Sequence, residues 1–551
     1  MKNKLLIAGS FFILSAIGLS CSKKIDEAYQ NPNADVRVKP ETLLPQIIST
    51  MAANYAGHGP MNDIRYFGQY IQNWQFANTA SNFDRMGYTN SAGDVAQSMW
   101  RAHYYDIGQN NQRMIGWAIE DGQWDYAGVG KAIEAWSWLL LTDIYGDVIL
   151  KEAFNTNLVT FKYDTQEEVY TYVKQLAHEA IAFLNRTGGN VSRESLAKGD
   201  AFMYNGDVNK WKKFAYGVLA RVHNRYTNKA ALYKPDSVIH YANLAMTTHA
   251  DDAMVKFAGT AVSATNNFFG PLRGNLTGVG VTAPTAIRQG AYIVNLMNGA
   301  NTTFNGVQDP RSIYLLRKNT NGTFVGVEPN KGQTVIDVGL RPENFWGISQ
   351  DAGVNNTAGT NGQGIAPRFI FRNNAPFPVM TASEMQFLKA EAYFRKNEKG
   401  NALIAYRSGI DLHFDMLTTT FQVNVPAAEV ITPASRTAYI NSVSPANAEA
   451  LTLSQIMLQK YISLFGHGVL ETWVDMRRFR YVGSGPGGGG QVYTDFTPPT
   501  GGDLFPDNNS KLVYRYQPRF NSEYVWNILE LQRIGATALD YHTKELWFVT
   551  N

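Results

Sequence analysis

Between Gln69 and Thr89 the chain reads QYIQNWQFANTASNFDRMGYT. Trp74, Phe76, Phe83 and Tyr88 are interleaved with Asn73, Gln75, Asn78, Asn82 and Arg85, without the regular spacing of a helix face. Sugar rings have apolar CH faces that stack on aromatic rings, and hydroxyls that pair with amides and guanidinium groups. The mixture therefore fits a glycan platform, although the same residues also suit simple packing. Phe268-Phe269 and Phe345-Trp346 are further candidates of this kind. The stretch TWVDMRRFRY supplies Arg477, Arg478 and Arg480, whose forked donors could grip an anion. Neighbouring Glu471 and Asp475, set among Trp473, Val474 and Met476, favour a structural reading in which the arginines tie this helix to its surroundings.

Motifs for catalysis are missing. The sequence contains no HExxH, no G-x-S-x-G elbow and no Walker A loop, and GSGPGGGGQ lacks the Lys-Ser/Thr that would hold phosphate and magnesium. The nine histidines are scattered without ligand spacing. No cofactor is expected; a structural calcium bound by loop Asp and Asn side chains stays open, without an EF-hand pattern. The net charge is only +3, and no run of five Lys or Arg occurs, which argues against nucleic acid as a partner. Charged residues make up 17% of the chain, against about 25% for an average soluble domain, while aromatics reach 13%. Such a composition suits a surface that meets neutral, hydroxyl-rich ligands.

Cys21 is the single cysteine, which excludes an internal disulfide and cysteine-based metal sites. Lys2 and Lys4 precede an apolar run from Leu5 to Ile17, and Gly18-Leu19-Ser20 leads into Cys21. A membrane-spanning helix needs about 20 apolar residues, so residues 1–20 read as a signal peptide instead. A cysteine at that cleavage point resembles a lipobox, with Gly18 standing where leucine is usual. The expected chemistry is acylation of Cys21, each buried methylene adding about 0.8 kcal/mol to the anchor. Residues 21–40 then form a polar tether, and 41–551 the folded body.

The body carries repeated helical signals. Ile133, Trp136, Leu140 and Ile144 keep helical spacing before Gly146, and Thr165 with Glu168 forms a capping box ahead of Val169, Val173 and Leu176. Asp207 and Pro235 open two further helices, and Thr381 with Glu384 forms a second capping box. Partners follow across Leu403 to Met416 and from Leu453 to Leu464. Adjacent helices come in pairs of tetratricopeptide kind, without that repeat's regular signature. From about 255 to 380 the chain turns rich in Gly, Asn and Thr, a long irregular region of the sort that carries functional surface. Another long loop runs from GSGPGGGGQ through Asn509.

Taken in order, NPNAD, LLLTDIYGDVILKEAF, GDVNKWKKFAYGVLARVHNRY, FPVMTASEMQFLKAEAYFR, QKYISLFGHGVLETWVDMRRFRY and RYQPRFNSEYVWN, behind the lipobox, resemble the SusD/RagB-like outer-membrane lipoproteins. The resemblance implies a mainly α SusD-like fold of four degenerate tetratricopeptide-like helix pairs with a loop-rich, ligand-binding half. It implies a lipid-anchored place on the extracellular side of the outer membrane, where Asp26 and Glu27 fit an acidic export signal despite Lys23 and Lys24. It also implies non-catalytic capture of oligosaccharides or polysaccharides for a SusC-like TonB-dependent transporter, over which the protein acts as a lid. Family relatives include peptide-capture systems, so peptide cargo is an alternative, with a surface glycoside hydrolase as a third reading. Family ligand loops vary, so no binding residue transfers. TWVDMRRFRY becomes a structural signature.

Overall fold

The computed structural model describes residues 37–52, 64–79, 81–88, 97–273, 287–319, 321–346, 367–486, 488–518 and 522–551. The signal peptide, Cys21, most of the tether, and 274–286 and 347–366 of the loop-rich region lie outside the described residues.

The principal helices are α1 (Pro40–Thr50), α2 (Ile64–Tyr70), α3 (Asn110–Glu120), α4 (Trp124–Tyr145), α5 (Gln166–Leu184), α6 (Val208–Arg225) and α7 (Pro235–Leu244). They continue with α8 (Ala291–Met297), α9 (Ala382–Arg395), α10 (Lys399–Thr420), α11 (Leu453–Ser463) and α12 (Val469–Arg478). Helix α4 packs on α3 and α5, α5 on α6, α6 on α7, α7 on α9, and α9 on α10 and α11. The result is a run of paired helices, as the periodicity predicts. Nearly every residue of α4 is buried, because it is covered from several sides, and Gly146 ends it at φ 82°, a conformation that costs glycine little.

The caps follow the sequence with one change. Thr165 and Glu168 form the reciprocal capping box of α5, and Asp207 accepts from the amides of Asn209 and Lys210. At α9, Thr381 accepts from the Glu384 amide, but the Glu384 carboxylate does not reach back. It is taken by Arg221, whose Nε and one terminal nitrogen each donate at 2.7 Å. A buried guanidinium outcompetes a backbone amide for that charge.

TWVDMRRFRY is structural. Arg478 pairs with Glu391 and Asp475, both at 2.7 Å, and Lys460 lies 2.8 Å from Asp475. Arg477 donates to the carbonyls of Asp143 and Tyr514. Glu471 faces Arg221 and Arg225 of α6 instead of its own helix's arginines. Arg480 is half exposed and pairs with Glu545.

Two short two-stranded sheets brace the irregular half. β1 (Trp74–Phe76) pairs antiparallel with β3 (Ile287–Gln289), Trp74 opposite Gln289 and Phe76 opposite Ile287. β2 (Ala253–Val255) pairs antiparallel with β4 (Phe377–Met380), which leads into α9. Among the described residues no helix is long and apolar enough to cross a membrane, and no group of three His, Cys, Asp or Glu is placed to hold a metal ion.

A candidate ligand cleft in the irregular half

Just before β1, Gln72 enters a hollow that is closed on its other sides by α8 with its following turn, by the 328–331 turn and by the 495–503 loop. The hollow encloses about 590 Å³. A second one of about 430 Å³ adjoins it and shares Ala291, Asn295, Glu328 and Lys331, so the two make one continuous cleft.

Each wall is tied down by polar contacts. Asn301 donates its amide to the Thr494 carbonyl at 2.9 Å, and Asp495 accepts from the Thr302 amide at 2.6 Å and its hydroxyl at 3.1 Å. Gln72 Nε2 donates to the Thr497 carbonyl at 2.8 Å. Asp503 accepts from Asn330 Nδ2 at 3.0 Å and from Lys331 Nζ at 2.6 Å. Buried Asp84 accepts from the Phe76 amide. Burial pushes its carboxyl well up, against the amides of Phe76 and Asn330 that favour the charged form.

Gln72, Asn330 and Asp495 all sit in the left-handed region, at φ 59°, 57° and 64°. Asn and Asp accept this conformation readily, whereas Gln does so at a cost of order 1–3 kcal/mol. Backbone strain gathered at one rim marks a surface held in shape by its surroundings. The floor is apolar where Tyr292, Pro498 and Pro499 line it. Asn295 and Glu328 are exposed within the cleft and, among the described residues, make no side-chain hydrogen bond. Carboxylate, amide and ammonium groups beside small apolar faces suit hydroxyl-bearing ligands.

None of the aromatics singled out from the sequence lines this cleft. Trp74, Phe268 and Phe269 are buried, as are Phe83, Tyr88, Phe345 and Trp346. Trp74 meets Phe269 and Phe345 edge-on, Phe345 stacks on Phe371 at 4.3 Å, and Trp346 Nε1 donates to the Phe269 carbonyl. The reading of 69–89 as a surface platform is corrected accordingly: these rings fill the core of the irregular half, because burying an aromatic face against another removes more apolar surface than a loop position could. Phe76 is half-buried against the same core. Arg85 acts on the cleft at second hand, donating to the carbonyls of Gly502, Asp503 and Leu504 and so holding its outer wall. Gln72, Asn295, Glu328 and Asp495 were missed individually. Their sequence signal is membership of a wider segment: the aromatic–amide stretch for Gln72, the Gly/Asn/Thr-rich region for Asn295 and Glu328, and the Gly/Pro-rich loop for Asp495.

A family model described as starch-binding and associating with outer membrane matches residues 32–485. A SusD/RagB family protein from Bacteroides thetaiotaomicron is 22% identical, with a TM-score of 0.64 over 93% of this chain and 99% of that one. A chitin-binding protein is 21% identical, with a TM-score of 0.66 over 93% and 100% of the two chains. A SusD homologue from Bacteroides fragilis is 18% identical, with a TM-score of 0.66 over 94% and 100%. No curated protein matches.

Proposed function

Because the chain belongs to the SusD-like family, described as starch-binding and associating with the outer membrane, we propose that it captures neutral oligosaccharides in the cleft beside α8. The observation that carries this reading is the cleft itself, with the exposed amide of Asn295 and carboxylate of Glu328 beside a proline–tyrosine floor. Amide and carboxylate groups bind vicinal hydroxyls, and rigid apolar faces accept the CH side of a sugar ring. In this reading the protein is no enzyme. It holds its ligand for a SusC-like TonB-dependent transporter, closing over that partner as a lid on the extracellular side of the outer membrane. Acylated Cys21 anchors it after removal of residues 1–20, and the part of the 21–40 tether ahead of Arg37, which is paired with Glu120 and Asp121, supplies the slack for the lid to swing.

Calorimetric titration of the mature protein with maltohexaose, cellohexaose, chitohexaose and a pool of hexapeptides tests the cargo. At least one hexasaccharide should bind, while the peptides give no heat. Peptide binding with every saccharide silent would overturn the reading. For the anchor, metabolic labelling with a fatty-acid analogue should mark wild type and leave Cys21→Ala unlabelled; label that persists in the variant removes the anchor from the proposal.

A further inference from the structure

On the helical half, remote in sequence from the first cleft, α3, α4 and α5 enclose a second cavity of about 870 Å³ together with the 150–154 segment. That size falls among pockets that enclose small organic ligands. One side of it is aromatic and aliphatic. Trp138 of α4 lies edge-on to Tyr172 of α5 at 6.2 Å, and Phe154 and Leu150 complete the surface. Phe154 is held in a conformation that bulky residues avoid, with φ 63°. Two features keep it there. Tyr104, in the π-helical stretch Ala102–Gln109, donates its hydroxyl to the Ile149 carbonyl at 2.7 Å and sets its ring 6.2 Å from Phe154. Gly108 of the same stretch makes room, since a Cβ there would come within 2.8 Å of the Phe154 ring.

Beside the rings the lining is polar and ordered. Glu134 is buried on α4, and its Oε1 accepts from Gln112 Nε2 at 2.7 Å and from the Tyr172 hydroxyl at 3.4 Å. Lys131 lies 3.2 Å from its other oxygen. Glu134 thus fixes the Gln112 amide by its nitrogen end, leaving the amide oxygen to accept from a ligand. At the mouth, Lys151 bridges Glu168 and Asp164, and exposed Glu167 lines the same rim, so the entrance carries more carboxylate than ammonium charge. Apolar ring faces, an immobilised amide acceptor and rim carboxylates that can accept from hydroxyls suit one ligand class, the pyranose ring with its CH face and its row of hydroxyls.

We infer that the α3–α4–α5 cavity is a second saccharide site, independent of the cleft beside α8, in which the half-buried rings of Phe154 and Tyr172, backed by buried Trp138, take the CH face and Gln112 takes a hydroxyl. A chain with two sites would hold a polysaccharide at two points and retain it longer than either site alone.

The test uses the mature protein, with maltohexaose, cellohexaose and chitohexaose as probes in calorimetric titration. Wild type is compared with Asn295→Ala/Glu328→Ala in the first cleft, with Gln112→Ala/Tyr172→Ala in this one, and with all four changes together. Melting curves identify any variant that has lost its fold, and a Gln112→Glu protein, which keeps the size of the side chain, replaces the Gln112→Ala/Tyr172→Ala pair if that pair unfolds. The expected result is residual saccharide binding in Asn295→Ala/Glu328→Ala that weakens about tenfold or more when Gln112 and Tyr172 are also changed. Loss of all binding in folded Asn295→Ala/Glu328→Ala overturns the second site and leaves the first standing. Residual binding indifferent to Gln112 and Tyr172 overturns it as well. Binding lost only with Gln112 and Tyr172 supports this site and removes the first. A wild type that binds none of the three removes both.

Discussion

An Arg225→Met protein is expected to unfold about 3–5 kcal/mol more easily than wild type in chemical denaturation. Arg225 is fully buried on α6, 2.9 Å from Asp143 of α4 and 2.7 Å from Glu471 of α12, so it joins three helices. Removing it leaves Asp143 with the Tyr170 hydroxyl alone and Glu471 with the more distant Arg221 at 3.4 Å. Stranding a buried charge costs more than the pair contributed, because its desolvation is no longer offset. For the same reason, adding Asp143→Asn to Arg225→Met should recover part of the loss. A single variant within about 1 kcal/mol of wild type would mean that water reaches this junction and that its burial does not matter.

Acid acts on the same junction in two opposed ways. Glu471 is held down to about 2: burial alone would raise it, but Arg221, Arg225 and Lys460 together outweigh burial. Glu391 is likewise held below the ordinary carboxylate range, against its own burial, by Arg478 and Arg395. Both groups contribute stability that is fully present above their unfolded value near 4.3 and is lost as pH falls toward their folded values. Asp143 is raised, since burial and the nearby Glu471 exceed the pull of Arg225. Its charged form costs stability at neutral pH, and that cost is returned as pH falls through its raised value. Stability should therefore hold through mild acid and drop steeply only below about pH 4.

Asn295→Ala/Glu328→Ala should weaken binding of whichever hexasaccharide wild type takes by about 30- to 1,600-fold. A hydrogen bond between neutral partners contributes about 0.5–1.5 kcal/mol and one to a charged group about 1.5–3, which together make about 2–4.5 kcal/mol. Both side chains are exposed, so the unfolding free energy should stay within about 0.5 kcal/mol of wild type. Affinity that is unchanged in this pair would place the ligand away from the cleft.

The helical half could be read from the sequence because its signals are local. Thr165, Asp207 and Pro235 announce their helices within a few residues, and the spacing of Ile133, Trp136 and Leu140 reports a buried face. Glu384 shows where locality stops: its capping pattern is present, but a guanidinium brought from α6 takes the charge. The cleft is the opposite case. Gln72, Asn295, Glu328 and Asp495 come from four separate segments, and no spacing rule links them. The aromatics of 69–89 misled because core and glycan platform draw on the same residue types. The burial of Trp74 is set by rings from distant segments, Phe269, Phe345 and Phe465, that close on it.

Arg85 reaches carbonyls at separations of 417, 418 and 419 residues, and the wall it holds lies beyond residue 485, where the family match ends. Contacts so distant along the chain form late in folding. A nascent chain that has emerged as far as residue 485 already contains every helix of the paired scaffold from α1 to α12, yet it has no outer wall for the cleft. The cleft is thus completed only after residue 504 has emerged, when that later segment returns to clasp an earlier one.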